Sequence, residues 1–289
     1  MSGLAPSPRV DPASGAWAPE GHTTVGRMAD SFYEYTLKSW IQNGKSEPHL
    51  LTAYQSFVMG VTTRLLARSD TEGLLFVGSI KGGAFVAEME HRTCFYPATL
   101  ALAHMHGVKP TPDEVEALAE LGFTSQLEVA AELTATCVQM AMRTPTGVAP
   151  ERTAFRFPGS PWGSSANVTV TRADMGVPYG AEAGMLRAEV AESLFYMYRV
   201  TKDHRYRRYG WQLWQGLERS ARVRRGYASV RSVVSQPVVH DDKLDAQFLA
   251  ETMKYMYLLY DDGWPNLREV VFNTEGHAFP INGSPIIAP

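Results

Sequence analysis

Apolar residues recur at three- and four-residue spacing along most of the chain, which places them on one face of an α-helix. The clearest case begins at Pro48, where the apolar face consists of Leu51, Tyr54, Phe57, Val58, Val61 and Leu65. Pro48 suits the first helical turn, because the N–H that proline lacks would have no partner there. The same pattern predicts helices at Asp30–Asn43, Pro48–Ala67, Pro97–His106, Pro112–Leu121, Gln126–Met142, Ala188–Thr201, Arg205–Ser220 and Leu244–Tyr260.

Short runs rich in Val, Ile, Phe or Tyr lie between these segments, close to glycines, and predict small β elements. The runs are Leu74–Ile80, Gly83–Ala87, Tyr227–Val234 and Glu269–Phe272. The helices follow no constant residue period, which argues against a strict solenoid and favours a closed barrel or an irregular bundle. Residues 1–26 are mostly Pro, Gly, Ala and Ser, so we expect an irregular lead-in that carries no fold of its own, followed by one mainly α domain at 27–289.

Composition and charge exclude several classes of protein. The chain has 289 residues, 45% of them hydrophobic, which is enough apolar material for a sizeable core. Its net charge of −3 gives no reason to expect a nucleic acid or an anionic membrane as partner. No apolar run approaches the roughly 20 residues that span a bilayer, so we expect no membrane span. The composition alone leaves open whether its two cysteines form a disulfide.

Six short segments stand out, and all but Thr146–Glu151 place carboxylates beside aromatic rings. This is the composition expected of a site where rings stack on sugars and carboxylates bind hydroxyls. The six segments are Ala29–Tyr35, Glu90–Phe95, Thr146–Glu151, Leu186–Tyr196, Phe248–Tyr255 and Val271–His277. In order and approximate spacing, these segments resemble those of the class I α-mannosidases, glycoside hydrolase family 47, which trim α-1,2-linked mannose from N-glycans. The resemblance extends from about Val10 to Ile281.

The resemblance implies a fold and a setting. The fold would be part of an (α/α)7 barrel of helical hairpins with short β-hairpins, in which the amino-terminal hairpins are missing and about the last four are present. Residues 27–289 would then be a partial family 47 catalytic domain. The implied cofactor is Ca²⁺, the implied partners are high-mannose N-glycans on glycoproteins, and the implied location is the lumen of the endoplasmic reticulum or Golgi.

The family cleaves with inversion, which requires one carboxylic acid to protonate the leaving oxygen and one carboxylate to activate water. Glu189 matches the residue taken as general base, at a helix start whose first-turn amides favour the ionised form. Asp30 matches a second catalytic carboxylate, although by itself it would be interpreted as a helix N-cap. Glu151 matches a further carboxylate and acid candidate, although alone it would be an ordinary loop charge.

The remaining implied roles concern metal and sugar binding. Thr274 matches the direct protein ligand for calcium, a hard cation that accepts six to eight oxygens, with waters filling the rest of its shell. Glu192 would hold those waters, while Arg187, His91, Glu251 and Glu275 would contact the sugar, and Glu251, Glu275 and Glu189 are further candidates to hold the waters. For His91 a packed structural role is nearly as well supported. Cys94 and Cys137 match paired family cysteines, which implies a disulfide.

Departures from the family pattern bear on activity. Ala188 stands where a proline is usual, Gln247 stands where a phenylalanine usually packs on the sugar, and Glu90 stands where an aspartate is common. The family also carries an acidic Glu-Phe pair on an early helix, and nothing before Asp30 resembles it. We therefore expect a glycoside hydrolase fragment with weak or no activity alone.

Two other interpretations remain at this point. The chain could be a non-catalytic mannose-glycan-binding relative in glycoprotein quality control, which the missing acid and Gln247 favour. It could instead be a helical scaffold for protein partners, with the aromatic residues in its core and the carboxylates solvated. The ordered match of all six segments favours the α-1,2-mannosidase interpretation over both.

Overall fold

The computed structural model describes residues 3–5, 7, 9–17, 21–159, 162 and 167–283, and helices predominate within these ranges. The α-helices there are α1 (Asp30–Gln42), α2 (Pro48–Arg64), α3 (Tyr96–Met105), α4 (Pro112–Glu120), α5 (Gln126–Met142), α6 (Glu189–Thr201), α7 (Arg205–Ser220) and α8 (Lys254–Tyr260). Each corresponds to a helix predicted from the apolar pattern, with ends shifted by a few residues. The last prediction differs in kind, because a π-helical turn at Phe248–Met253 precedes α8.

Helix α6 lies at the centre of the fold and packs against α3, α5, α7 and α8. All of its residues from Glu189 to Arg199 are buried, and Phe195 contacts the rings of Tyr255 and Phe272. A helix that is buried on every side cannot shift without disturbing several neighbours. It therefore gives a rigid base to the polar residues at its first turn.

None of the helices in the described ranges is long and apolar enough to cross a membrane.

The strands are short and form five separate sheets among the described residues. The strands that follow α2 form two sheets. In the first, β2 (Leu66–Arg68) pairs with β3 (Leu75–Val77); in the second, β4 (Ser79–Lys81) lies between β5 (Ala84–Val86) and β1 (His22–Thr23), which precedes α1. A four-stranded sheet has the order β6 (Glu88–Glu90), β7 (Arg152–Phe155), β9 (Met175–Pro178) and β8 (Val168–Arg172). Two hairpins complete the set: β10 (Arg222–Val223) with β11 (Gly226–Tyr227), and β12 (Val270–Phe272) with β13 (Ala278–Pro280).

The predicted β elements are correct in part. The run Leu74–Ile80 divides between two sheets, because β3 and β4 pair with different partners. The run Tyr227–Val234 was predicted as a β element, but only Tyr227 lies in a strand and Val230 makes single bridges to Gly184 and His240. Burial explains its composition, since Val230 and Val233 belong to a second apolar cluster rather than to a ladder. The four-stranded sheet was not predicted, because its strands are too short for alternation to show.

The described residues of the lead-in at 1–26 have little regular structure, but several of them are buried. Among its described residues, Leu4, Ala5 and Val25 are buried in the main core. The backbone N–H of Ala5 donates to the hydroxyl of Tyr33, and β1 adds a strand to the sheet of β4. These described residues of the lead-in therefore pack against the rest of the chain.

A disulfide joins Cys94 to Cys137, which confirms the predicted pairing. Cys94 lies in a 3-10 helix at His91–Phe95, and Cys137 lies in the middle of α5. The Cα atoms are 6.0 Å apart, within the range that a disulfide spans. The bond fastens the segment that carries His91 to the core.

Candidate active site

An acidic cavity of about 220 Å³ opens where the first turns of α1 and α6 meet the π-helical turn and the β12–β13 hairpin. Seven of its thirteen lining residues are Asp or Glu. The predicted site residues that line it are Asp30, Glu189, Glu192, Glu251, Thr274 and Glu275. With Arg92 and Phe95, which also line it, the cavity brings together residues from five of the six segments. His91, Glu151 and Arg187 line a smaller neighbouring cavity.

Glu189 is the first residue of α6, where it is 8% exposed. Its Oε2 lies 3.2 Å from Nδ1 of His91. Burial alone would raise the pKa of Glu189, but the hydrogen bond and charge of His91, the Glu189 amide and Arg187 lower it to about 2. Glu189 is therefore ionised at neutral pH and suited to accept a proton rather than to donate one. His91 contacts this carboxylate but does not line the acidic cavity; it lines the smaller neighbouring cavity instead.

Beneath Glu189, a buried lysine connects two further carboxylates. The ammonium group of Lys38 contacts Glu34, one helical turn earlier, and lies 3.3 Å from Oε1 of Glu192. Burial lowers the pKa of Lys38, but Glu34 and Glu192 raise it above its ordinary value. Burial raises the pKa of Glu192, and the charge of Lys38 lowers it. The carboxylates of Glu34, Glu251 and Glu189 raise the pKa further, to about 8. Through these two contacts, Lys38 holds the carboxyl groups of Glu34 and Glu192 at fixed positions on the floor of the cavity.

Glu251 lies within the π-helical turn, which inserts one extra residue before α8. The insertion changes which residues face the core, and it turns Glu251 towards the cavity while Phe248 and Thr252 stay buried. Burial, followed by the carboxylates of Glu189 and Glu275, raises the pKa of Glu251 to about 7, and a hydrogen bond with the Gln247 side chain lowers it in part. Repulsion among these carboxylates favours a bound cation.

Arg187 and Glu151 form an ion pair at the edge of the cavity. Nε of Arg187 donates to both carboxylate oxygens of Glu151 at 2.8 and 3.0 Å, and Nη2 donates to Oε2 at 2.5 Å. The preceding residue, Leu186, has φ of 56°, a conformation that costs free energy for a non-glycine residue. Thr252 stabilises it by donating its hydroxyl to the Leu186 carbonyl. This strained turn directs Arg187 towards Glu151 and the site.

Asp30 is the first residue of α1, so the N-cap position belongs to Ala29 and not to Asp30. One carboxylate oxygen of Asp30 accepts from the Ser31 backbone N–H at 3.0 Å. The other lies 3.3 Å from Nη1 of Arg92, which also lines the cavity. The contacts with the Ser31 amide and with Arg92 hold the Asp30 carboxylate at the wall of the cavity.

Thr274 occupies the tight turn between β12 and β13. The side chain of Asn273 shapes this turn by accepting from the backbone N–H groups of Glu275 and His277. Gly276 has φ of 69° there, the left-handed conformation that glycine adopts without a steric penalty. The Thr274 hydroxyl lies at the cavity wall, 3.3 Å from the hydroxyl of Tyr35. The turn therefore presents a threonine oxygen to the carboxylates opposite.

The donor set of this cavity fits a hard cation. Its acidic side chains and the Thr274 hydroxyl supply oxygen donors only, the type that calcium prefers. In the part of the chain that the structure describes, however, no group of three or more His, Cys, Asp or Glu side chains is placed to hold a metal ion. A calcium ion here would therefore rely on Thr274 and on water molecules that the carboxylates orient.

The sequence did not indicate a functional role for several residues of this site, among them Asp245, Glu34, Arg92 and Lys38. Glu34 and Arg92 lie inside quoted segments, and Lys38 lies one turn beyond Glu34. The signal that could have identified Lys38 is its position among Leu37, Trp40 and Ile41, because a lysine on a buried helix face requires a carboxylate partner.

Comparison with known proteins identifies the family. The family model of Glycosyl hydrolase family 47 matches residues 1–281. The chain belongs to glycosyl hydrolase family 47. It is 40% identical over 277 residues to the endoplasmic reticulum mannosyl-oligosaccharide 1,2-alpha-mannosidase of Homo sapiens, covering 94% of this chain and 36% of that protein. It is 35% identical over 274 residues to mannosyl-oligosaccharide 1,2-alpha-mannosidase IA of Sus scrofa, covering 94% of this chain and 38% of that protein.

The fold agrees with the family 47 assignment. An alpha-1,2-mannosidase from Trichoderma reesei superposes with a TM-score of 0.79 at 22% identity, over 94% of this chain and 55% of that chain. The mainly helical fold expected from the sequence is thus confirmed as part of the family's α-helical barrel. The chain spans well under half the length of these two curated relatives.

Proposed function

We propose that this chain forms the calcium-binding, sugar-facing part of an inverting α-1,2-mannosidase that acts on high-mannose N-glycans. The observation that carries the proposal is the acidic cavity, which unites the ionised Glu189 with Asp30, Thr274 and Glu251. Glu189 accepts a proton from the attacking water, and Asp30 is a second catalytic carboxylate. Glu251 and Glu275 bind hydroxyls of the terminal mannose. Arg187, aligned by Glu151, binds the glycan at the edge of the cavity.

Calcium fits this arrangement through Thr274. When bound, it would orient the sugar and the attacking water. Glu192 and Glu251 would hold its waters by hydrogen bonds, and the buried Lys38 keeps Glu192 in position.

We expect calcium to raise the thermal stability of the chain by about 5 °C at a concentration 100 times its dissociation constant. Binding to the folded state alone contributes about 2.7 kcal/mol there, and each kcal/mol shifts the midpoint of a chain this large by about 2 °C. The measurement is the unfolding midpoint with excess calcium and with a chelator.

The matched variants for this test are Thr274→Val and Thr63→Val. Thr274→Val removes a hydroxyl from the cavity wall and should reduce the calcium-dependent shift. Thr63→Val removes an exposed hydroxyl on α2 and should leave the shift intact. Equal midpoints with calcium and chelator in the unmodified chain would contradict the calcium site.

A second candidate function is glycan binding without catalysis. The hydrogen bonds of Glu151 favour this function for the 289 residues acting alone. Glu151 accepts three hydrogen bonds from Arg187, so it serves as an acceptor rather than as the acid that protonates a leaving oxygen. Calorimetric titration with α-1,2-linked mannobiose, in parallel with an assay for released mannose, separates the two functions. Binding without release supports the second.

The location we propose is the lumen of the secretory pathway. Disulfides persist in oxidising compartments, and the Cys94–Cys137 bond is buried in the core. One curated relative carries the endoplasmic reticulum in its name. Localisation of the tagged protein by microscopy, with a protease-protection assay of isolated vesicles, tests this proposal.

A further inference from the structure

The side chain of Gln247 occupies a distinctive place in the acidic cavity. It is a neutral amide in a wall that is otherwise mostly charged, and it lies at the boundary with the Arg187–Glu151 ion pair. Its position is fixed from the backbone, because the N–H of Gln247 donates to Oδ1 of Asp245 at 3.1 Å and the π-helical turn begins at the next residue.

The hydrogen bonds of this amide leave one acceptor position unused. Nε2 of Gln247 lies 3.4 Å from Oε1 of Glu189, and the side chain also hydrogen-bonds Glu251. Oε1 of Gln247 accepts from Nη1 of Arg187 at 3.5 Å. An amide oxygen has two lone pairs, so one remains for a ligand in the cavity. The distances of 3.4 Å to Glu189 and 3.5 Å to Arg187 are long compared with the usual 2.9 to 3.0 Å, so the amide can adjust when a ligand arrives.

We propose that Gln247 is a specificity-determining residue of this site, whose Oε1 accepts a hydrogen bond from one hydroxyl of the terminal mannose. The inference rests on the proposed function, because it requires a mannoside in the cavity. An amide oxygen between a guanidinium and two carboxylates selects a ligand that offers a neutral O–H donor. A site that is built to bond a hydroxyl discriminates against the analogue that lacks it, because its own polar group is then left unpaired.

The test is a set of calorimetric titrations of the full chain in saturating calcium. The ligands are α-1,2-linked mannobiose and its analogues that lack one hydroxyl at a time on the non-reducing ring. The proteins are the unmodified chain, Gln247→Met, Gln247→Phe and the control Gln212→Met, which lies on the exposed face of α7. Two substitutions at residue 247 keep the test decisive if one of them impairs folding.

We expect one deoxy analogue to bind the unmodified chain about tenfold more weakly than the parent sugar, which corresponds to about 1.4 kcal/mol. Gln247→Met and Gln247→Phe should bind the parent and that analogue equally, while they still discriminate among the others. Gln212→Met should behave as the unmodified chain does. A purely structural amide would weaken all ligands together and would not remove discrimination at a single hydroxyl.

Two results would overturn the inference, and they can be told apart. If mannobiose binds and both variants keep the discrimination pattern of the unmodified chain, then Gln247 does not contact the sugar, and the proposed function stands. If no mannoside binds the unmodified chain with calcium present, then the proposed function fails and this inference fails with it.

Discussion

Glu189→Gln is expected to lower the rate of mannose release from an α-1,2-linked mannoside by about 10²- to 10⁴-fold, the usual contribution of a positioned acid or base. The substitution keeps the size of the side chain and an oxygen that can still accept from Gln247 or His91. It removes the negative charge and the ability to take a proton from water. A large loss with little change in sugar affinity would therefore assign Glu189 to the proton-transfer step.

The measurement needs a protein in which an acid is available. We would use residues 1–289 joined to the amino-terminal part of the Homo sapiens relative, where the family resemblance implies the acid, and measure mannose release in saturating calcium. The matched control is Glu116→Gln, an exposed glutamate on α4 outside the cavity, which should leave the rate unchanged. Similar rates for Glu189→Gln and Glu116→Gln would contradict the assignment of the base.

The same assay applied to the 289 residues alone should give slow release. An inverting hydrolase needs a second carboxyl group about 6.5 to 9.5 Å from the first to protonate the leaving oxygen. Glu151 is engaged by Arg187, and Glu189 has a pKa of about 2, so neither offers that proton. Rapid release by these residues alone that is abolished in Glu189→Gln would show that Glu151 or another described residue is the acid.

The pattern of apolar residues was sufficient to predict the helices, because an amphipathic helix repeats its signal over several turns. The strands were harder to predict. β7 and β9 have only four residues each, and they are buried by residues that are distant in the sequence. The π-helical turn at Phe248–Met253 was not foreseeable from periodicity, because one extra residue shifts the apolar phase only locally. That turn decides where Glu251 faces.

The functional residues came from the family resemblance and not from spacing. Glu189, Glu192 and Arg187 would be ordinary polar residues of a helix start if considered alone. The grouping of Glu34, Lys38 and Glu192 could not be predicted, because Lys38 and Glu192 are 154 residues apart in the chain. Such a contact exists only once α1 packs beside the first turn of α6. The sequence marked Gln247 only as a departure from the usual phenylalanine, and its contacts with Arg187 and Glu189 became visible in the structure.

Loss of the Cys94–Cys137 bond is expected to lower the free energy of unfolding by about 4 kcal/mol, the chain-entropy value for a closed loop of 43 residues. The physical reason is that the reduced unfolded chain has many more conformations. Both cysteines are fully buried, so replacing them also risks a cavity. Denaturant unfolding of the oxidised chain, the reduced chain and the variant Cys94→Ala/Cys137→Ala separates the two effects. The loss of stability on reduction measures the contribution of the cross-link. Any additional loss of stability in the variant measures the contribution of packing.

The bond also bears on the site, because the 3-10 helix that contains Cys94 begins with His91, the neighbour of Glu189. A second fastening is present: Ser193, on the buried α6, donates its hydroxyl to the carbonyl oxygen of Cys94 and accepts from the N–H of Ala98. We therefore expect the reduced chain, below its unfolding transition, to keep its affinity for calcium and mannobiose while it loses stability. Two thiols that react with a labelling reagent in the native chain without reductant would contradict the disulfide, and unchanged stability after reduction would contradict its stabilising role.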